Sequence, residues 1–108
     1  MFKRKFRLSS FSLRYPKQIS GSMFNIKIGQ NDQDLNRFAF VVSKKIDMRA
    51  TARNKIKRKV RGGFEKLADS IKVGHDFIVY PKKNTMEATT DQISDEIKDS
   101  LAKIDLLK

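Results

Sequence analysis

The chain has 108 residues, no Cys and a formal net charge of +12, from 24 Lys or Arg against 12 acids. This length suits one domain, residues 1–108, with one core, and 39% hydrophobic residues are enough to form it. Without Cys there is no disulfide and no thiolate metal site, and no apolar run approaches the roughly 20 residues that span a bilayer. We therefore expect a cytoplasmic protein with no membrane partner.

The positive charge is confined to the first part of the chain. Residues 1–61 hold 17 Lys or Arg and 3 acids, whereas residues 62–108 hold 7 and 9, so the two parts carry +14 and −2. A surface that served only solubility would mix the two signs throughout. The expected partner is a polyanion rather than a small-molecule substrate.

The first element in chain order is a basic N-terminal segment, residues 1–17, whose pattern is ambiguous. Phe11, Leu13 and Tyr15 alternate as in a strand, while Phe11 and Tyr15 alone are also spaced i, i+4 as on a helix. The pattern leaves both structures open.

Two strands are predicted next. Residues 23–28 alternate between apolar and polar side chains, which indicates a strand with one buried face. Residues 29–34 (GQNDQD) have turn chemistry, and residues 37–43 (RFAFVVS) form an apolar run typical of a central strand. We expect these two strands to pair as an antiparallel hairpin.

A long basic helix is predicted from Ala50 to Ile71. Its apolar stripe recurs at spacings of four, four, three and four, at Ile56, Val60, Phe64, Leu67 and Ile71. Gly62 and Gly63 interrupt it, each costing about 1 kcal/mol relative to Ala. Packing must compensate for them, or the helix bends there.

Residue patterns in the last part of the chain predict one more strand and one more helix. Residues 76–80 (DFIVY) indicate a short buried strand, and Thr89 with Gln92 forms a capping box ahead of the final helix. The apolar stripe of that helix comprises Ile93, Ile97, Leu101 and Ile104.

The basic helix offers a row of phosphate donors. At about 100° per residue, Asn54, Arg58 and Arg61 lie opposite the apolar stripe, with Lys57 at the edge of this arc and Lys55 and Lys59 on the other flank. Arg53 instead projects from the first turn on the same side as the apolar stripe, so its side chain is expected to reach past the edge of the sheet. A charge run is usually only a solvated face. Here the seven cations from Arg49 to Arg61 have no acid among them and repel one another, which favours binding to phosphates.

The stretch FVVSKKIDMRATARNKIKRKVRGGF, residues 40–64, resembles the signature of the bacterial ribonuclease P protein subunit. A strand ends in Ser-Lys-Lys, and after a short turn come an Arg-Asn pair, I-K-R and a further Arg three residues on. The likeness extends through DFIVYPKK and the last helix, over about residues 23–106. It implies a small noncatalytic partner of a catalytic RNA that removes the 5′ leader from precursor tRNA.

The resemblance also implies a fold. The family has an α+β two-layer sandwich, in which a four-stranded sheet packs with the long basic helix and a C-terminal helix. Its βαβ crossover is left-handed, whereas sequence periodicity alone would favour the common right-handed one.

The resemblance further implies roles for individual residues. RNA binding is expected at the family's helix motif, at its strand-end lysine pair and at two further cations of the same run: Arg53, Asn54, Lys57, Arg58, Arg61, Lys44, Lys45, Arg49 and Lys55. The leader is expected in a cleft over one sheet face, lined by Ile26 and Val41 with Arg53 at its rim. Phe11 and Tyr15 would stand in for the aromatic pair of the family's first helix. Because Ile26 replaces a family aromatic, stacking would contribute less to leader binding.

No residue set predicts catalysis or metal binding by the protein. His75 is expected to be a turn residue, and Asp95, Glu96 and Asp99 are expected to be solvated charges. Mg²⁺ would then be held mainly by the RNA subunit and the substrate, where it activates water and stabilises the leaving oxygen. The alternative is a general RNA-binding module, such as a ribosomal protein with a similar βαβ core. A protein enzyme acting on nucleic acid is disfavoured, because no nucleophile, base or ligand set can be assembled.

Overall fold

The structure, a computed structural model, describes residues 13–108, with the backbone alone for Arg14 and Tyr15. Its elements in chain order are β1 (Arg14–Ser20), β2 (Phe24–Gln30), β3 (Arg37–Phe40), α1 (Ala50–Leu67), β4 (His75–Pro81) and α2 (Thr90–Ala102). Short 3-10 helices follow α1 at Ala68–Ser70 and β4 at Lys83–Glu87. The expected α+β class is confirmed.

The four strands form one mixed sheet in the order β1-β2-β4-β3. β4 runs antiparallel to β2 and parallel to β3, so the predicted hairpin of β2 with β3 is wrong. The connection between β2 and β3 instead contacts the residue that precedes β4. Asn31 N–H donates to the Gly74 carbonyl oxygen at 3.0 Å, and Gly74 N–H donates to the Leu35 carbonyl oxygen at 3.2 Å. The strand order makes β3 an edge strand rather than the central strand that was predicted. The left-handed crossover from β3 through α1 to β4 stays a prediction.

The core lies between the sheet and the two helices. Alternating residues of the central strands point to this side and are almost fully buried with the helix stripes: Phe24, Ile26, Ile28, Phe77, Val79, Val60, Phe64, Ile93, Ile97 and Leu101. The predicted helical stripes are confirmed up to the ends of the helices, at Leu67 for α1 and at Ala102 for α2, so Ile71 and the half-buried Ile104 lie beyond them. Ile71 is buried beyond the end of the helix and forms an antiparallel bridge with Leu107.

The two adjacent glycines of α1 behave differently. The helix runs through both without a break. A Cβ atom on Gly63 would lie 2.8 Å from Ile93 Cγ2 and 3.1 Å from Ile97 Cδ1, whereas one on Gly62 would meet nothing within 4 Å. Gly63 therefore permits the close approach of α1 to α2, and only there does packing compensate for the missing side chain.

α2 is fixed at its start and along its length. The predicted capping box is confirmed: Gln92 N–H donates to Thr89 Oγ1 at 3.1 Å, and Thr89 N–H donates to Gln92 Oε1 at 2.9 Å. Glu96 is not the solvated charge that was expected, because its carboxylate accepts from Met23 N–H at 2.9 Å and from the Ser22 hydroxyl. It ties α2 to the turn between β1 and β2, while Asp95 and Asp99 are exposed as expected.

The ambiguous N-terminal pattern resolves as a strand where the structure describes it. Tyr15 lies in β1, so it is not part of a helical pair, and Phe11 lies outside the described residues. The register of β1 on β2 shifts between Arg14 and Lys17. Pro16 falls at this irregularity of an edge strand, where its missing N–H is tolerated. Among residues 13–108, neither helix is long and apolar enough to cross a membrane.

Candidate nucleic-acid interface

The residues predicted to bind RNA lie on α1 and on the connection from β3 to α1, residues 41–49. Six are exposed, namely Lys44, Lys45, Arg49, Asn54, Lys55 and Arg58, and three are half-buried, namely Arg53, Lys57 and Arg61. A continuous stretch of chain thus carries all of them. Their contacts divide them into cations that bind other parts of the protein and cations that face outward.

Arg53 binds the connection that precedes its own helix. Its Nη1 donates to the carbonyl oxygens of Asp47, at 3.0 Å, and Met48, at 2.9 Å. These contacts close the connection against the first turn of α1. The sequence pattern did not indicate this structural partner, and a position at the rim of a leader cleft stays a prediction.

Arg49 has an acidic partner two residues earlier. The Asp47 carboxylate accepts from Arg49 N–H at 2.9 Å, Nε at 3.1 Å and Nη2 at 3.0 Å. These hydrogen bonds and the guanidinium charge lower the pKa of Asp47 from 3.8 to about 2. Asp47 is therefore an anion at neutral pH, and it offsets one of the seven cations.

Lys59 is also engaged inside the protein. Its Nζ donates to the carbonyl oxygens of Met86 and, at 3.1 Å, Ala88. It joins α1 to the segment that leads into α2. Arg49, Arg53 and Lys59 thus have protein partners, whereas Lys55, Lys57 and Arg58 form no hydrogen bond or ion pair with the described part of the chain.

Arg61 does not lie opposite the core stripe as predicted. Its guanidinium carbon lies 5.6 Å from the ring centroid of Phe40, the last residue of β3. At about 100° per residue, Arg61 is one step from Val60 of the stripe, so it flanks the core rather than opposing it. β3 ends beside this flank, and a long arginine side chain can cover an apolar ring with its charged end near water. Arg61 therefore lies where α1 meets the sheet edge.

The sheet face away from the helices, called here the outer face, carries a small second cluster. Ala39 and Ile78 are buried there, and Leu13, Val41 and Tyr80 pack against them. Val41 thus lies on the outer face of the sheet. The outer face ends at Asp76, whose carboxylate accepts two bonds of 2.8 Å from Arg37 and one of 2.9 Å from the Asn31 amide. Hydrogen bonding to Asp76 raises the pKa of Arg37.

Ile26 does not share this face, and its assignment to a cleft with Val41 is wrong. It is 1% exposed and pairs with Val79 on the side covered by the helices. Because neighbours in a strand point to opposite faces, the outer face presents Lys27 instead. Lys27 Nζ lies 5.5 Å from the ring centroid of Tyr80.

Tyr80 and Lys27 are thus the outer-face residues that sequence reasoning missed. The signal in β4 was hidden, because five consecutive residues from Phe77 to Pro81 are apolar or aromatic and show no alternation. The pairing of β2 with β4 shows which residues of β4 point to which side of the sheet: Asn25 lies opposite Tyr80, and Lys27 opposite Ile78. These pairs assign each residue to one side of the sheet.

The one histidine of the chain is held by neighbouring polar groups. His75 opens β4, with its N–H donating to Asn36 Oδ1 at 3.0 Å and its Nδ1 3.3 Å from the Lys72 carbonyl oxygen. Within residues 13–108, no three or more His, Asp or Glu side chains are grouped so as to hold a metal ion.

A protein-family model described as Ribonuclease P matches residues 3–105 of this chain. The ribonuclease P protein component of Syntrophomonas wolfei is 38% identical over 63 residues, which are 58% of this chain and 52% of that protein. That of Pseudanabaena sp. is 29% identical over 104 residues, covering 94% of this chain and 90% of that protein. The chain spans about half to three fifths of the length of the first curated relatives that it matches.

Solved structures share the fold. The ribonuclease P protein from Thermotoga maritima superposes with a TM-score of 0.73 and 28% identity, covering 82% of this chain and 84% of that one. The Staphylococcus aureus protein gives a TM-score of 0.70 at 28% identity, with 86% and 84% covered.

Proposed function

This chain belongs to the ribonuclease P protein family, and we propose that it is the protein subunit of a bacterial ribonuclease P. In this role it binds the catalytic RNA and the 5′ leader of precursor tRNA in the cytoplasm and assists 5′ maturation. The observation that carries the proposal is the family match over residues 3–105, on a chain whose basic helix carries several cations with no partner among the described residues. The chain itself supplies no catalytic residue, and cleavage is the work of the RNA.

The catalytic RNA would be bound by the outward-facing cations of α1 together with Lys44 and Lys45. Arg53 and Asp47 hold the connection that follows this lysine pair, which lowers the entropy lost when RNA binds. If about five phosphates are neutralised, log K should fall with log salt at a slope of roughly −4. Guanidinium groups such as that of Arg58 suit phosphate oxygens because they donate two parallel hydrogen bonds.

The leader would pass over the outer face. Tyr80 offers a ring on which a base can stack, and Lys27 beside it offers a charge for the leader backbone. Val41 contributes apolar surface on the same side. This assignment keeps the predicted cleft but replaces Ile26 with Lys27 and Tyr80.

Mg²⁺ would be bound outside this chain. Two of the described carboxylates already form ion pairs with arginine side chains, Asp47 with Arg49 and Asp76 with Arg37. Carboxylates that are neutralised in this way do not fit a magnesium site. We therefore assign Mg²⁺ to the RNA subunit and the substrate.

The test is cleavage of a precursor tRNA by a matched catalytic RNA at low Mg²⁺, with and without the protein. The protein should raise the cleavage rate under these conditions. Arg58→Ala should weaken binding to the catalytic RNA and make its salt slope shallower by about 0.9. Lys98→Ala removes the same charge from the exposed side of α2 and should change neither.

One result would favour the alternative function. Tight, salt-dependent RNA binding with no gain in cleavage at any Mg²⁺ concentration would indicate a general RNA-binding module. Equal effects of Arg58→Ala and Lys98→Ala would show that the RNA does not select the α1 surface.

A further inference from the structure

A stack of aromatic rings leads from the core to the surface beside α1. The rings of Phe77 and Phe38 lie 4.9 Å apart at an interplanar angle of 9°, and those of Phe38 and Phe40 lie 6.3 Å apart at 7°. The ring of Phe64 meets Phe40 edge-on at 5.9 Å. Phe40 is thus held by two other rings, and Arg61 lies over it.

We propose that Phe40 is a positioning residue for RNA binding, because it holds the Arg61 guanidinium ready to donate to a phosphate. This inference rests on the proposed function. An arginine side chain has many rotamers, and part of this freedom is lost when it binds. A ring that orders the side chain beforehand reduces that loss. The sequence predicted Arg61 as a phosphate ligand but assigned no role to Phe40.

The contacts of Arg61 leave its hydrogen-bond donors available. Within residues 13–108, no carboxylate forms an ion pair with Arg61, in contrast to Arg49 and Lys66. A guanidinium that rests on a ring keeps its N–H groups in its own plane, where they can still reach a phosphate. Arg58, three residues earlier on the same helix, is exposed and has no such ring contact among the described residues.

A purely structural role for Phe40 predicts different behaviour. Phe40 packs against the core, so its loss could weaken RNA binding simply by destabilising the fold. That effect would not depend on the residue at position 61. Coupling between Phe40 and Arg61, measured as RNA affinity, therefore separates the two roles.

The experiment measures the affinity of the full chain for a matched catalytic RNA, with thermal unfolding as a check on folding. Phe40→Leu keeps an apolar side chain but removes the ring, and should lower affinity about three- to fivefold. Phe40→Tyr keeps the ring and should retain the affinity. Because Phe40→Leu keeps the charge of Arg61, the salt slope should stay unchanged, whereas Arg61→Ala should make it shallower by about 0.9.

The double variants decide the question. In the Arg61→Ala background, Phe40→Leu should cause no further loss, while in the Arg58→Ala background it should cause the same loss as in the unmodified chain. Arg61→Lys, which leaves the core intact, should resemble Phe40→Leu and should not add to it. These comparisons remain informative even if Phe40→Leu lowers stability.

Two contrary outcomes are distinguishable. Equal losses from Phe40→Leu with and without Arg61 would overturn the positioning role alone. If neither Arg58→Ala nor Arg61→Ala weakened RNA binding, the basic surface of the proposed function would itself be wrong, and the inference would fail with it.

Discussion

The two faces of the sheet have opposite properties although the same strands form them. On the helix side, Ile26 and Val79 are buried under α1 and α2. Their immediate neighbours, Lys27 and Tyr80, lie on the outer face, where a lysine approaches an aromatic ring around a small apolar cluster. The difference shows that adjacent residues of one strand can have separate surroundings, one in the core under the helices and the other on the opposite side of the sheet.

The largest effect that separates the two faces is expected from Ile26→Ala. Removing this buried side chain should lower the free energy of unfolding by about 2–5 kcal/mol, because it leaves a cavity between sheet and helices. Urea unfolding measures the loss, and Lys27→Ala should change stability by less than about 0.5 kcal/mol. If Ile26→Ala reduced leader affinity with stability unchanged, Ile26 would belong to the cleft after all.

The helix-side face also depends on how closely α1 and α2 approach, which the glycine pair tests. Gly63→Ala should destabilise the protein by about 1–3 kcal/mol, since the new methyl group meets Ile93 and Ile97. Gly62→Ala adds the same atom in open space and should stabilise the helix by about 0.5–1 kcal/mol. Thermal unfolding of both variants gives the comparison. A stable Gly63→Ala protein would mean that α2 can move aside at little cost.

On the outer face, Val41→Glu should impair leader binding while leaving assembly with the catalytic RNA nearly intact. A carboxylate beside the leader phosphates should weaken binding about fivefold, or about 1 kcal/mol, through repulsion. Val41→Gln has similar volume without the charge and is the matched control. The measurement is holoenzyme affinity for precursors with and without a leader. Equal losses on both precursors, in a folded variant, would exclude this face as the leader site.

The smallest effect is expected from Lys27→Ala. If Lys27 contacts one leader phosphate, its loss should make the salt slope of leader-dependent affinity shallower by about 0.7. Lys17→Ala removes the same charge from β1, where Lys17 pairs with Ile28 and so belongs to the helix side. It should leave the leader-dependent slope unchanged. Identical slopes for the two variants would indicate that the leader does not distinguish the faces.

Local patterns predicted the local elements well. The stripe of α1, the strand around Phe77 and the capping box of Thr89 each depend on residues a few positions apart, and all three are confirmed. The predicted pairing of β2 with β3 was wrong because strand partners are chosen over long separations. The assignment of Ile26 failed for a related reason: the alternation of a strand shows which residues share a face but not what covers that face.

The sequence by itself determined the segregation of charge, the amphipathic helices and the family, because consecutive residues or residues at helical spacing encode them. Only the tertiary structure decided which cations of α1 contact other parts of the protein. Lys59 meets Ala88 across 29 positions, and Arg61 meets Phe40 across 21, so neither contact follows from helical periodicity. The physical reason is that a cation's partner depends on which distant segments the folded sheet and helices bring beside it.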